Sequence, residues 1–172
     1  MRDLCHRVKK EQDLTGLSAF QLSKKISEEN INSVDIFISY SYRDEVELPL
    51  ALFLLLRDEG CKPYLSQRFS RKKGQIPNIK DIQKTRDILS VSKSLIFLDG
   101  PEATRSQWIP WEIGYIAGKN GKVAIFTAAE NQSNVTNSEF LSLYPKVSHQ
   151  DGCLLVDKDS REKIGLYQWV NA

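Results

Sequence analysis

With 172 residues, 41% hydrophobic and 27% charged, the chain has the size and composition of one globular domain with a substantial core. Its 24 Lys and Arg against 22 Asp and Glu leave a net charge of +2. The basic residues are scattered, so the balance points to no nucleic-acid partner. Three cysteines (Cys5, Cys61, Cys153) and two histidines (His6, His149) show no metal-ligand spacing, which argues against a zinc site and predicts reduced thiols in a cytoplasmic protein. Met1 to Lys10 is polar and lacks the apolar core of a signal peptide. The longest apolar run, Leu48 to Leu56, is too short for a bilayer and contains Pro49, so no membrane partner is expected.

Residues 1–32 read as an N-terminal helical extension to a main domain spanning 33–172. Leu14, Leu17, Phe20, Leu22 and Ile26 fall at roughly helical spacing, with Thr15 or Ser18 as the cap. The extension either packs on the main domain or serves as an oligomer contact. Val34 to Tyr40, β-branched and aromatic, reads as a first buried strand. Ser41 and Asp44 form an S-x-x-D start for a helix over Val46 to Glu59, closed by Gly60. Pro49 is tolerated there only in the first turn. That helix is apolar almost all round and therefore buried on more than one side. Cys61 to Ser66 is a second strand, with Pro63 suiting an edge. Gln67 to Asn78 is a polar loop, Ile79 to Val91 a helix and Ser94 to Leu98 a third strand. Ser106 to Gly118 is a helix with Pro110 near its start. Lys122 to Thr127 is a fourth strand, and Asn131 to Asn137 a loop. Glu139 to Pro145 is short and amphipathic. Gly152 to Asp157 is a fifth strand, and a last helix holds Leu166, Tyr167, Trp169 and Val170. Strands alternating with helices predict an α/β fold, a mostly parallel five-stranded sheet with helices on both faces, of flavodoxin-like type.

The chain has no G-x-G-x-x-G, Walker A, H-E-x-x-H or G-x-S-x-G motif. Ser39 and Ser41 end the first strand, where open α/β sheets bind ligands, but no neighbouring His offers a base. Glu112 stands out. Trp108 lies one helical turn before it, Trp111 precedes it, and Ile113, Tyr115 and Ile116 follow. A glutamate on a largely buried helix is either paired or functional, because an unpaired buried charge is costly; the plain alternative is a surface glutamate. Asp99 ends the third strand and reads either as a ligand contact or as the turn former of D-G-P. Arg43, set against the macrodipole at a helix start, hints at a nearby anion. Arg68, Phe69 and Arg71 form a basic loop whose apolar ring suits a contact, with another copy of the chain among the options.

Val34-Asp-Ile-Phe-Ile-Ser-Tyr-Ser41, the W-x-x-x-E pattern from Trp108 to Glu112, and the segments P-W-E-I-G-Y, G-K-V-A-I-F and S-E-F-L-S-L-Y-P resemble the TIR (Toll/interleukin-1 receptor) domain family. Over residues 34–157 the likeness is greatest to bacterial stand-alone TIR proteins, including those of Thoeris-type antiphage defence. The resemblance implies a flavodoxin-like fold and cleavage of NAD, with Glu112 as the catalytic carboxylate. It implies nucleotide contacts at Phe37, Ser39, Tyr40, Ser41, Arg43, Trp108 and Asp99. NAD is then the substrate, with no separate cofactor or metal, and the nucleotide product acts on a separate effector protein. It also implies self-association, with Arg68, Phe69 and Arg71 in the contact loop. The other expectations to weigh are a non-catalytic TIR scaffold and a deoxyribosyltransferase-like nucleoside enzyme. Pro110 departs from the family pattern and bears on where the helix starts and where Glu112 points.

Overall fold

The computed structural model describes residues 2–27, 32–41, 46–66, 78–100, 103–127, 139–159 and 162–172. In chain order the elements are α1 (Arg2–Thr15), α2 (Ala19–Ser27), β1 (Val34–Ser39), α3 (Glu47–Asp58), β2 (Pro63–Leu65), α4 (Ile79–Val91) and β3 (Ser92–Asp99). They continue with α5 (Trp108–Asn120), β4 (Val123–Thr127), β5 (Lys146–Gln150), β6 (Cys153–Asp159), β7 (Glu162–Gly165) and α6 (Leu166–Asn171). Short 3-10 turns cover Ala103–Arg105 and Glu139–Leu143. Among the described residues no helix is long and apolar enough to cross a membrane.

One sheet runs in the order β2-β1-β3-β4-β5-β6-β7. Its first five members are parallel, and their order, 2-1-3-4-5, is the flavodoxin-like one. β6 and β7 add antiparallel strands beyond β5. The sheet thus has seven strands where the pattern predicts five. Gly152 to Asp157, expected as the fifth and parallel, lies in the sixth and runs antiparallel. Lys146-Val-Ser-His-Gln150 carries one fully buried apolar side chain, Val147, so its alternation is too weak to read as a strand. The hairpin that follows turns at Asp151 and Gly152, both with positive φ (50° and 83°), as a two-residue turn of this kind demands.

Side-chain alternation divides the sheet into two cores. Ile36, Ile38 and Tyr40 face α1, α2, α3 and α6, while Phe37, Leu95, Phe97 and Ile125 face α4 and α5. Helix α3 is the deep element, with Pro49 to Leu56 all buried. Pro49 occupies its first turn, where its missing N–H has no intrahelical acceptor to lose. Val46 is the N-cap and caps with no side chain, so Ser41 does not start this helix; Asp44 lies outside the described residues.

The N-terminal region forms not one helix but two, broken at Gly16 with φ of 67°. Ser18 starts the second with a reciprocal cap: Gln21 N–H donates to Ser18 Oγ, and Ser18 N–H donates to Gln21 Oε1 at 2.9 Å. Val8, Leu22 and Ile26 join the α3 core, whereas Leu14 and Phe20 of the expected apolar set are exposed. Both helices therefore cover α3, which explains how so apolar a helix is tolerated.

Two outcomes follow. Leu22, 3% exposed, should cost roughly 2–4 kcal/mol when replaced by Ala, whereas Leu14→Ala, at a position 73% exposed, should stay within about 0.5 kcal/mol by urea unfolding. Burial, reinforced by the Asp35 and Glu59 carboxylates, pushes the Cys61 thiol up to about 11. Iodoacetamide at neutral pH should therefore label exposed Cys153 well before Cys61, as read by peptide mass.

Candidate functional site

In an open parallel sheet the ligand crevice lies beyond the C-terminal strand ends, where successive connections leave in opposite directions. Here that point falls between β1 and β3, since the chain passes from β1 out to β2 and then returns to β3. Ser39 is the last residue of β1 and pairs in register with Phe97 of β3. Asp99 is one pleat further along β3, on the same face as Phe97 by alternation, and is 4% exposed. It also opens a turn, with Gly100 N–H donating to Leu98 O and Ala103 N–H to Gly100 O. The turn-former reading of Asp99 describes this placement at the strand end.

Helix α5 crosses over this point. Pro110 sits at its third residue, inside the first turn, and leaves the helix running from Trp108. Gly121, with φ of 72°, closes it and donates its N–H to Ile116 O. The buried stripe of α5 is Ile109, Glu112, Ile113 and Ile116. That spacing is the one expected of core residues, and a carboxylate occupies one of its places. Glu112 is 0% exposed, as is Ser39. Ser39 Oγ donates to Glu112 Oε2 at 2.6 Å, joining positions 73 residues apart. This distance is in the range of an O–H···O⁻ bond to an ionised acceptor.

Trp108 is half-buried, one turn before Glu112, and meets Trp111 edge-on at 5.8 Å and 83°. Trp111 in turn meets Tyr115 at 6.2 Å. The rings form a ladder along the flank of α5 beside the buried stripe. Phe37 is wholly buried in the α4/α5 core, its ring 5.5 Å from that of Tyr64. Ser41 is buried just beyond β1.

Tyr40 is the expected site residue that the fold sends elsewhere. It lies on the opposite face of the sheet from Ser39, in the α3 core, and its hydroxyl donates to Ser66 O at 2.8 Å. Ser39, Ser41, Asp99, Trp108 and Glu112 belong to the C-terminal edge of β1 and β3 and the first turns of α5. Arg43, Arg68, Phe69 and Arg71 lie outside the described residues. What residue-by-residue reading missed is the Ser39–Glu112 pairing itself, which no local spacing signals.

The opposite end of the sheet holds a cavity of about 420 Å³, bordered by Lys93, Lys119 and Lys122. Its ammonium groups have structural duties. Lys119 Nζ donates to the carbonyls of Ser90 and Ser92, and Lys122 Nζ to that of Val170. Lys93 pairs with Asp35 at 2.8 Å, a contact that raises its pKa. This cavity is remote from Glu112 and is better explained as a stitch between the C-terminus of α4 and α6.

No family model matches the chain. A probable 3′ cyclic ADP-D-ribose synthase, ThsB′ of Bacillus cereus (strain MSX-D12), is 31% identical over 120 residues. The match takes in 66% of this chain and 60% of the relative, so the chain spans less than two thirds of the length of the curated relative it matches. Among solved structures, the TIR domains of the activated Roq1 resistosome align with a TM-score of 0.42 and 18% identity, over 55% of this chain and 57% of theirs.

The molecule is thus a flavodoxin-like α/β domain with a buried carboxylate at its topological switch point. In sequence it is similar, over part of its length, to the bacterial protein ThsB′.

The buried pair has a folding consequence. Glu112→Ala should destabilise by about 1–3 kcal/mol, because it leaves the Ser39 hydroxyl without its acceptor. Glu112→Gln, which keeps an acceptor for the Ser39 hydroxyl, should lose less stability than Glu112→Ala. Urea unfolding at neutral pH checks both.

Proposed function

We propose that this protein cleaves the nicotinamide–ribose bond of NAD and converts the remainder into an ADP-ribose-derived signalling nucleotide, cyclic or conjugated, in antiphage defence. The observation that carries the reading is the Ser39–Glu112 contact at the switch point. A carboxylate placed in a core stripe costs stability, and such costs collect at functional sites. The relative's description as a probable cyclic ADP-ribose synthase agrees with it.

The chemistry suits a single carboxylate. As the C1′–N bond breaks, nicotinamide leaves as a neutral base with the bonding pair, and positive charge spreads over C1′ and the ring oxygen. A fixed carboxylate hydrogen-bonded to the ribose hydroxyls stabilises that centre. The leaving group needs no proton, so no histidine acid is required. A hydroxyl of the same nucleotide, another small molecule or water then bonds to C1′ and releases its proton to solvent. On this reading Glu112 is the catalytic group, and Trp108, Ser41 and Asp99 border the nucleotide. NAD is the substrate, and the reading invokes no separate cofactor. Self-association of TIR-like domains and a separate effector that reads the product complete the proposal.

The complete burial of Glu112 favours a second reading, an interaction module without turnover. Product analysis separates them. Incubation with NAD, alone and in cells challenged with phage, should release nicotinamide and a nucleotide identifiable by mass. Glu112→Gln should lower that release by roughly a hundredfold or more. Absence of turnover from the wild-type protein in every condition assigns the scaffold. Action on deoxynucleosides but not NAD assigns the deoxyribosyltransferase-like alternative.

A further inference from the structure

Ser39 ends the central strand β1, and its side chain is as completely buried as Glu112. A hydroxyl whose single proton is committed to the carboxylate at 2.6 Å has none left with which to contact a nucleotide. It is well placed to govern the group that does. We propose that Ser39 is a positioning residue: its hydroxyl turns the Glu112 carboxylate toward the ribose site and keeps it ionised in an apolar setting, without itself contacting the substrate. This rests on the NAD-cleaving reading above and extends it to a second residue.

Three features support the assignment. Glu112 occupies the buried stripe of α5 between Ile109 and Ile113, which share a core with Phe97 of β3. Burial of this kind favours the neutral acid, whereas a donor to the charged form favours the carboxylate, so the hydroxyl acts directly against the effect of burial. The donor is also rigidly held, because β1 is hydrogen-bonded on both sides, to β2 and β3, and a side chain at the end of such a strand has little freedom. Finally, a bond to Oε2 fixes the rotation of the carboxylate about its last torsion, which is otherwise broad.

Among the described residues, the other charged groups around α5 are few. β3 brings Asp99, buried at the same end, and Lys93, at the far end. β1 brings Asp35, also at the far end, and β4 brings none. The charged side chains of α4, from Lys80 to Asp87, are exposed or, for Asp81, partly so. α5 itself brings Lys119, near its C-terminus, and Arg105 of the preceding turn is exposed. Site-specific detection distinguishes the Glu112 carboxyl from that of Asp99 and of every other acid in the chain.

The test compares the wild type with Ser39→Ala and with Ser39→Thr, which keeps the hydroxyl. Carbon-13 NMR titration of the Glu112 carboxyl in the full chain should show its pKa raised by about one unit or more in Ser39→Ala, with Thr close to wild type. With NAD as substrate, Ser39→Ala should lower kcat roughly ten- to a hundredfold at little change in KM. The acid limb of its pH profile should move to higher pH, and Ser39→Thr should recover most of the rate. An unchanged Glu112 titration in Ser39→Ala overturns the proposal, whatever the effect on melting temperature. A rise in KM with kcat and the acid limb unchanged overturns it in favour of direct substrate contact. If the wild type does not cleave NAD, the functional reading fails, and the NMR titration still decides whether Ser39 controls the carboxylate.

Discussion

A carboxylate packed between a helix and a sheet is unstable unless a donor reaches it, and Ser39 supplies one to Glu112. Much of the architecture around the site can be understood from that requirement. The serine must end a strand at the point where the sheet changes direction, and the glutamate must fall in the inward stripe of the helix that passes over it. Both conditions are met by β1 and α5, whose Ser39 and Glu112 are 73 residues apart in sequence and are brought together by the parallel pairing of β1 with β3.

The two-sided sheet explains why neighbouring residues have such different fates. Ser39 and Tyr40 are adjacent, yet strand alternation sends them to opposite cores. Tyr40 fills the α3 side and secures its hydroxyl on Ser66 O, while Ser39 reaches the α5 side. The N-terminal helices matter to this division because they close the α3 side, whose eight consecutive buried residues from Pro49 to Leu56 could not face water. With one face sealed by apolar packing, the polar exception is confined to the other.

The two ends of the sheet are equally distinct. At the N-terminal end, Lys93, Lys119 and Lys122 are committed to Asp35 and to backbone carbonyls, which ties α4 and α6 to the strand starts. These groups are satisfied by the protein itself. At the C-terminal end, buried Ser39, Ser41, Asp99 and Glu112 gather polar atoms near the aromatic ladder of α5. Such a concentration of buried polar groups in an otherwise apolar layer is the usual mark of a working site.

The sequence alone was enough for the α/β class, the first four strands, the α4 boundaries, and the placing of Trp108 one helical turn before Glu112. These are local properties: β-branched runs, helical spacing and caps such as Gly60 and Gly121 act within a few residues. It did not carry the strand Lys146–Gln150, which draws its strand character from pairing with β4 and β6 rather than from its own side chains. Tertiary structure alone decided that the N-terminal segment is two helices sealing α3, that Tyr40 turns away from the site, and that Ser39 meets Glu112. Each of these depends on which surfaces come together after folding, and a contact spanning 73 residues leaves no periodic trace in the chain.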